Sequence, residues 1–288
     1  MQVSDSAARV LSGLLEARTG QQLTADRMWR IGTALSGLLR DHGLASVDEL
    51  ALRLIEPDCG NLANAAVDAL LNNETYFFRD RNMFDVLAQT VLPEIASQAR
   101  RKRHLRIWSV GCSTGQEAIS LAMLLSEQRG KWAGWSIEIV ASDVSHHVIE
   151  TARKGIYPQF QVQRGLSVLQ MINHFEERPE GWQAEKALLR QIRYEVHNVL
   201  DPREDARAFD LVLCRNVLLY FGQENRARAF DRLADAMNPG GWLMLGGGES
   251  AAGLSDRLVA DDAATGLYRK SDEAGSARDN VVPARRAG

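Results

Sequence analysis

The chain has few of the features that mark secreted, membrane-spanning or metal-binding proteins. It contains three cysteines in 288 residues, Cys59, Cys112 and Cys214, and none of them forms a CxxC pair or has a suitably spaced histidine. We therefore expect reduced thiols, a cytoplasmic location and no bound metal. No apolar run is long enough to cross a membrane, and the N-terminus MQVSDSAARV lacks the basic start and apolar core of a signal peptide. We expect no membrane insertion.

The chain also lacks an excess of charge of either sign. Its 34 Lys and Arg residues against 37 Asp and Glu residues give a formal net charge of -3. Proteins that bind nucleic acid usually carry a basic stripe with interleaved aromatic side chains, and the sequence shows none, so we expect no nucleic-acid partner. With 45% hydrophobic residues, the chain is long enough to bury the core of one full α/β domain and a smaller one.

The most informative segment that is present is WSVGCSTGQE, residues 108–117. Residues 105–110 form a short apolar run typical of a buried parallel strand. Gly111 permits a sharp turn close to a ligand, and Ser113 or Thr114 can cap the following helix. The spacing matches neither GxGxxG nor GxxxxGK[ST]. A neutral turn that carries Glu117 suits a cationic ligand such as S-adenosylmethionine (SAM) better than a pyrophosphate. A glycine turn that only closes the fold would give the same pattern.

Further strands are expected downstream, and polar residues stand where they end. The strands are predicted at residues 137–142, 194–197, 209–214 and 242–246. Asp143 ends the first of these, where a carboxylate can hold both hydroxyls of a ribose. Asn198 follows the next, and its amide can pair with an adenine edge. Such residues at consecutive strand ends favour a cofactor-binding α/β sheet, although Asp143 alone could be a helix N-cap and Asn198 alone a turn residue.

Four segments together carry a family resemblance. They are NNETYFFRD (residues 72–80), WSVGCSTGQE, ASDVSHHVIETARKGIY (141–157) and FDLVLCRNVLLYF (209–221). In this order and spacing they resemble the CheR family of chemotaxis receptor glutamate methyltransferases, over most of the chain up to Tyr268. The resemblance implies transfer of a methyl group from SAM to glutamate carboxylates on the cytoplasmic helices of a receptor. The products are glutamate methyl esters and S-adenosylhomocysteine (SAH).

The resemblance and the hydrophobic spacing together imply the fold. We expect an α/β protein with a doubly wound, Rossmann-like SAM-dependent methyltransferase domain at residues 105–270 and a small β-subdomain insertion at about 156–197. Leucines at helical spacings predict an all-helical N-terminal domain at residues 1–75. Residues 76–104 are expected to form a linker and a helix. Residues 271–288 have little to bury and should be disordered.

The insertion at about residues 156–197 is the part of the chain where a receptor peptide could bind. Within it, residues 165–175 are predicted to form a helix and residues 182–196 extended antiparallel segments. Some family members grip a peptide from the receptor's C-terminus at the outer edge of this subdomain. Here the connection EERPEGWQAE, residues 176–185, is short, acidic and interrupted by proline. We therefore expect no need for a C-terminal tether peptide.

The resemblance and the glycine turn assign a set of residues to the cofactor. They are Asn73, Thr75, Arg79, Gly111, Glu117, Asp143, Asn198, Val199, Asn216 and Val217. Glu117 would meet the methionine ammonium and Arg79 its carboxylate. Asn198 and Asn216 would serve the adenine and its surroundings. Tyr220 and Arg79 are the candidate catalytic residues, Tyr220 positioning the substrate carboxylate, although an aromatic packed between helix and sheet would give the same pattern.

Two basic regions are candidates for the contact with the receptor, and the protein is expected to act as a monomer. One is Arg27 with Arg30, which would otherwise be an ordinary solvated helix face. The other is the stretch at residues 100–106, although helices often end in basic residues for dipole reasons alone. Which receptor and which glutamates are methylated is not readable from the sequence.

Two other functions stay open. One is methylation of a different acceptor, but the fourth strand ends in CRN and not in the NPPY or DPPY of exocyclic-amine methyltransferases. The other is a scaffold without activity, against which the presence of Glu117, Asp143 and Asn216 speaks.

Overall fold

Helices and strands alternate along the computed structural model, which describes residues 3–99, 102–205 and 207–271, without the side chains of residues 25 and 26. The α-helices are α1 (Asp5–Thr19), α2 (Ile31–Ala34), α3 (Ser36–Asp41), α4 (Val47–Arg53), α5 (Gly60–Leu70), α6 (Arg81–Val86), α7 (Leu92–Gln98), α8 (Gln116–Glu127), α9 (His146–Lys154), α10 (Gln159–Gln163), α11 (Val168–His174), α12 (Lys186–Leu189) and α13 (Gln223–Ala236). The strands are β1 (His104–Val110), β2 (Ser136–Asp143), β3 (Ile156–Tyr157), β4 (Phe175–Arg178), β5 (Gly181–Ala184), β6 (Ile192–Val196), β7 (Phe209–Cys214), β8 (Met237–Leu245), β9 (Leu258–Ala260) and β10 (Leu267–Lys270). 3-10 helices cover Ala25–Arg30 and Leu218–Tyr220, and a π-helical turn covers Leu87–Val91.

The N-terminal region is helical and has its own core. Helices α1 to α5 bury Leu11, Leu15, Leu35 and Leu50 completely. The leucine spacing predicted this helical region correctly. Leu52 is an exception, because it lies on the outer face of α4 with 68% of its surface exposed.

Seven strands form one large sheet in the order β6-β2-β1-β7-β8-β10-β9. Strands β6, β2, β1, β7 and β8 run parallel, and β10 runs antiparallel to both neighbours. Successive side chains of β1 enter different cores: Ile107 packs with Ile119 of α8, and Trp108 packs with Phe230 of α13. Cores on both faces confirm the doubly wound α/β fold. The strand order reverses between β1 and β7, and such folds bind ligands at the carboxyl ends of the strands beside that point.

The insertion forms a separate antiparallel sheet in the order β3-β5-β4. This sheet ends at Ala184, before the expected boundary at residue 197, because β6 belongs to the large sheet. The expectation of antiparallel segments over residues 182–196 holds for β5 and is wrong beyond it, where α12 and the parallel strand β6 follow. As the edge strand of the large sheet, β6 alternates between buried and more exposed residues. A half-buried antiparallel strand gives the same sequence pattern.

Two smaller expectations are corrected around the sheet. The strand expected at residues 242–246 is the longer β8, which begins at Met237 and has a register shift against β7 between Phe209 and Leu211. The helix expected at residues 165–175 is the shorter α11. Over the described part of the chain, no helix has the length and apolar character needed to cross a membrane.

The basic regions differ from the expectation as well. Arg27 is 8% exposed and packs over the ring of Tyr220, so it is not part of a solvated face. Arg106 is also buried, because its guanidinium pairs with Glu138 at 2.8 Å and with Asp205 at 2.7 Å. Residues 100 and 101 of the same stretch lie outside the described residues, as does the predicted disordered tail beyond residue 271.

Candidate active site

A cavity opens at the carboxyl ends of β1, β2, β6 and β7. The structure brings every residue predicted for the site to its lining: Asn73, Thr75, Arg79, Gly111, Glu117, Asp143, Asn198, Val199, Asn216, Val217 and Tyr220. The N-terminal helical region contributes Thr19 and Gln21 to the same lining.

The turn after β1 is shaped by close packing. Gly111 has φ 66°, and a Cβ there would lie 2.4 Å from Cγ2 of Val217, so only glycine fits. The hydroxyl of Ser113 donates to the carbonyl of Asn73 at 2.8 Å, which ties the turn to the segment at residues 72–80. The prediction that Ser113 or Thr114 caps the next helix is wrong, because the N-cap of α8 is Gly115, which has no side chain to form the cap.

Asp143 is the last residue of β2 and is 7% exposed. One carboxylate oxygen accepts the backbone N–H of Ser113 at 2.9 Å, and the other accepts that of Ser145 at 3.0 Å. Burial raises the pKa of Asp143, and these backbone hydrogen bonds oppose the rise. Each oxygen has a second lone pair, so the carboxylate can still accept two hydroxyl groups.

Arg215 connects three parts of the site from the end of β7. Its side chain is 2% exposed, and it forms an ion pair with Glu117 at 3.0 Å and another with Asp80 at 2.6 Å. It also donates to the backbone carbonyl of Arg79 at 2.8 Å. The second oxygen of Glu117 accepts the hydroxyl of Ser109 at 2.8 Å. A buried guanidinium needs such partners, so Arg215 fixes Glu117 and the FFRD segment in place.

Arg79 lies at the side of the cavity that adjoins the insertion. Its guanidinium donates to the carbonyl of Glu74 at 2.9 Å. The carboxylate of Glu74 pairs with Arg164 at 2.8 Å, and this bond lowers the pKa of Glu74. The Arg164 guanidinium also stands 4.2 Å from the centre of the Tyr76 ring. Residues 72–80 are therefore held between the glycine turn and the insertion.

The two asparagines predicted to serve the adenine, Asn198 and Asn216, differ in their local structure. The Asn198 side chain donates to the carbonyl of Arg18 at 3.2 Å and accepts the backbone N–H of Leu200 at 3.0 Å. These bonds fit the alternative of a turn residue, and an adenine contact of Asn198 stays a prediction. Asn216 has the left-handed φ of 59°, which is uncommon for a residue other than glycine.

Tyr220 lies where the N-terminal region meets the large domain. Its hydroxyl accepts a hydrogen bond from Asn72 at 2.7 Å, and Cζ of Arg27 stands 4.4 Å from its ring centre. Its backbone carbonyl accepts the N–H of Gln22 at 2.8 Å, and Gln21 forms a β-bridge with Phe221. The N-terminal region is thus fastened to the residue predicted to position the substrate.

A family model described as "CheR methyltransferase, SAM binding domain" matches residues 73–265. The chain is 35% identical over 259 residues to a chemotaxis protein methyltransferase of Vibrio parahaemolyticus, covering 89% of this chain and 93% of that one. It is 35% identical over 260 residues to chemotaxis protein methyltransferase 1 of Pseudomonas aeruginosa, covering 88% and 94%. The chain belongs to the CheR methyltransferase family. It is a SAM-dependent protein methyltransferase, as the four sequence segments predicted.

Three features of this CheR-family site were not found from the sequence. Arg215 stands in the quoted CRN segment, but nothing local shows that it bridges three chain segments. Arg27 looked solvent-facing from its helical position. Glu249 follows three glycines, and its carboxylate accepts backbone N–H groups of the loop that carries Tyr220. In the sequence, the three glycines at residues 246–248 were the signal that could have pointed to Glu249.

The cysteines beside this CheR-family cavity are packing residues. Cys112 and Cys214 are both buried, and burial raises the pKa of each thiol well above its usual value. Raised pKa values leave the thiols protonated and poorly nucleophilic. Among the residues that the structure describes, no group of three or more His, Cys, Asp or Glu side chains is placed to hold a metal ion.

Proposed function

We propose that this protein methylates glutamate side chains of chemotaxis receptors, forming methyl esters and SAH. One observation carries the proposal: a single cavity is lined both by the acids at the strand ends and by the Tyr220 group at the junction with the N-terminal region. The relatives reported above are named chemotaxis protein methyltransferases. The CheR family acts on receptor glutamates.

The strand-end residues would hold the cofactor. Asp143 would accept the ribose hydroxyls, and Glu117, kept in place by Arg215, would meet the ammonium group. Arg79 would pair with the methionine carboxylate. The missing Cβ of Gly111 leaves room for the side chain of Val217, which packs against the turn. When bound, SAM supplies a methyl group on a positively charged sulfur.

The acceptor needs alignment more than activation. A glutamate side chain has a pKa of about 4.3 and is already ionised at neutral pH, so no general base is required. A carboxylate oxygen forms the new bond to the methyl carbon while the electrons of the carbon–sulfur bond return to sulfur. Tyr220 and Arg79 would orient that carboxylate in line with the methyl group and take the place of its solvating water.

We infer that the partner is the helical cytoplasmic part of a receptor and that the enzyme acts as a monomer in the cytoplasm. Arg164, Arg79 and Arg30 lie close enough to Glu74 to lower its pKa, and Glu74 and Arg79 line the cavity. The three positive charges exceed the one negative charge of Glu74, which supports attraction of an acidic acceptor segment. Arg106 takes no part, because its charge is already paired inside the fold.

The test uses SAM labelled on the methyl group and a receptor cytoplasmic fragment. Methyl esters release label as volatile methanol under mild base, whereas N-methyl products and ethers retain it. We expect base-labile label on the wild-type fragment and none on a matched fragment whose glutamates at the modified positions are replaced by alanine. Base-stable label would identify a different acceptor. SAH binding without any label transfer would favour the scaffold function instead.

A further inference from the structure

Glu249 makes an unusual set of contacts behind the cavity. It follows β8 through the glycines at residues 246–248 and is 9% exposed. Its carboxylate accepts five backbone N–H groups, those of Asn216 (2.7 Å), Val217 (2.9 Å), Leu218 (2.7 Å), Leu219 (3.3 Å) and Gly246 (2.8 Å). Four of these donors belong to the loop at residues 216–219, which runs directly into Tyr220.

The Glu249 carboxylate accepts the backbone N–H groups at the start of this loop, as an N-cap side chain does at the start of a helix. The first N–H groups of a helical turn have no partner within the turn, and the 3-10 helix Leu218–Tyr220 begins at this point. Asn216 is held in the left-handed region with φ 59°, a conformation that persists only when its surroundings enforce it. Glu249 supplies that enforcement, because its two oxygens engage consecutive N–H groups of the loop.

The approach of Glu249 depends on a specific glycine. A Cβ at Gly246 would lie 2.8 Å from Oε2 of Glu249 and 2.9 Å from the backbone nitrogen of Asn216. On the other side of the loop, Val217 fills the space beside Gly111. The loop is therefore clamped between the glycine turn and the Glu249 carboxylate.

We propose that Glu249 is a positioning residue for methyl transfer: it holds the loop at residues 216–219 so that Asn216 and Val217 line the cavity and the Tyr220 hydroxyl faces the reacting groups. The proposal rests on the function proposed above, in which Tyr220 orients the acceptor carboxylate. A displacement of about 1 Å in such a group lowers the rate by about 100-fold. Glu249 touches neither cofactor nor acceptor and acts only through the loop.

The first variant is Glu249→Gln, which keeps the size and replaces one acceptor oxygen with an NH2 group that faces backbone donors. We expect kcat per folded molecule to fall by about 10- to 100-fold with little change in KM for the receptor fragment. Glu249→Asp keeps the charge on a shorter side chain and should fall between the wild type and Glu249→Gln. It also serves as the test if the glutamine variant does not fold.

The matched control is Asp210→Asn. Asp210 is a carboxylate on β7 at the opposite end of the sheet, where it accepts the backbone N–H of Arg106 and the side chain of Asn238, both at 2.9 Å. This variant should lower the unfolding temperature and leave kcat unchanged. Equal kcat losses in the Asp210 and Glu249 variants would mean a general effect of weakened folding and would overturn the proposal.

A double-mutant cycle separates action through Tyr220 from an independent effect. If Glu249 acts by placing the hydroxyl, the kcat losses of Glu249→Gln and Tyr220→Phe should be less than additive, because the second change has less to remove. Fully additive losses, or unchanged kcat in both Glu249 variants, would refute the positioning role. Failure of the proposed function itself gives a different result, since the wild-type protein would then yield no base-labile label.

Discussion

The cavity has two walls that are built in different ways. One, here called the strand-end wall, consists of Gly111, Asp143 and Asn198, which lie at the carboxyl ends of β1, β2 and β6 of the large sheet. The other, here called the junction wall, consists of Gln21, Asn72 and Tyr220, which come from the N-terminal region, the segment before α6 and the loop after β7. The strand-end wall is fixed by the backbone hydrogen bonds of one parallel sheet, whereas the junction wall depends on contacts between segments outside that sheet.

The difference sets how firmly each wall is held. Asp143 is fastened by two backbone N–H groups within its own neighbourhood of the sheet. On the junction wall, one hydrogen bond of 2.7 Å links Asn72 and Tyr220 across 148 positions of sequence. A single hydrogen bond of this kind contributes about 1 kcal/mol net, so the placement of Tyr220 also depends on the Gln22 N–H, the Gln21–Phe221 bridge and the Arg27 side chain. We expect cofactor affinity to depend on the first wall and turnover on the second.

The largest effect is expected for Arg215→Ala, because Arg215 joins the strand-end residue Glu117 to the FFRD segment. Removing one partner of a buried ion pair costs about 3–5 kcal/mol, since the remaining charge is left uncompensated. We expect a clear drop in the unfolding temperature and a loss of SAH affinity in calorimetry. Arg215→Lys should recover part of both, because lysine lacks the planar fork that reaches two carboxylates.

Arg269→Ala is the matched control for that prediction. Arg269 also pairs with two carboxylates, Glu94 at 2.6 Å and Asp261 at 3.0 Å, but it is 31% exposed and does not line the cavity. Exposed pairs contribute roughly 0–1 kcal/mol, so this variant should change stability little and SAH affinity not at all. Equal SAH affinity in the Arg215→Ala variant would show that Arg215 does not organise the site.

The same two walls separate what was predictable from the sequence from what was not. The strand-end wall was predicted from two local patterns. In WSVGCSTGQE a buried strand is followed by a glycine turn, and at Asp143 a buried strand ends in a carboxylate. Parallel strands bring their carboxyl ends to one edge, so local patterns were enough to predict that these residues converge. The fold class followed from the same alternation of strands and helices.

The junction wall was predictable only in part. Tyr220 and Arg79 were proposed from the family resemblance, but the contact of Tyr220 with Asn72 depends on packing between segments 148 positions apart. Helical position alone placed Arg27 on a solvated face, whereas the Tyr220 ring covers its guanidinium. Hydrophobic periodicity reports which residues are apolar and contains no information about charged side chains that become buried at a contact between two regions.

The second prediction concerns removal of one side chain, that of Asp143, from the strand-end wall. Asp143→Ala should weaken SAH binding by roughly 1.5–3 kcal/mol, the amount expected for a hydrogen bond to a charged group. A SAH analogue without the two ribose hydroxyls should bind the wild type and the variant with similar affinity, because the lost partner is missing in both. Calorimetry that shows unchanged SAH affinity in the Asp143→Ala variant would remove Asp143 from the cofactor site.

The third prediction acts on the junction wall. Tyr220→Phe removes only the hydroxyl, so kcat should fall by about 10-fold while SAH affinity stays the same. Tyr268→Phe is the matched control, because its hydroxyl bonds Ser250 and the backbone N–H of Ala251 outside the cavity lining. That control should alter only the unfolding temperature. The packing interpretation of Tyr220 predicts the same outcome for both variants, a lower unfolding temperature with unchanged turnover.

The smallest effect on the methylation rate is expected when the receptor's C-terminal residues are removed, because neither wall of the cavity requires them. Strand β4 is an edge strand of the small sheet, but it has only four residues, and Pro179 follows it. Glu176 and Glu177 are exposed on β4, and Arg178 pairs with Glu176 at 2.6 Å, which leaves this edge acidic. Tethering peptides of the family type are themselves acidic and aromatic, so like charges oppose strand pairing here.

Initial methylation rates should therefore agree within about twofold for receptor fragments with and without their last several residues, since exposed charges interact weakly. Titration of the isolated C-terminal peptide should show no micromolar binding. The double variant Glu176→Lys, Glu177→Lys tests the stated cause, because reversing the charge of the same strand should increase peptide affinity without changing the fold of the cavity. Micromolar binding to the wild type, or a large rate loss on truncation, would show that the short acidic edge is sufficient for a tether and that the enzyme finds its substrate through the insertion.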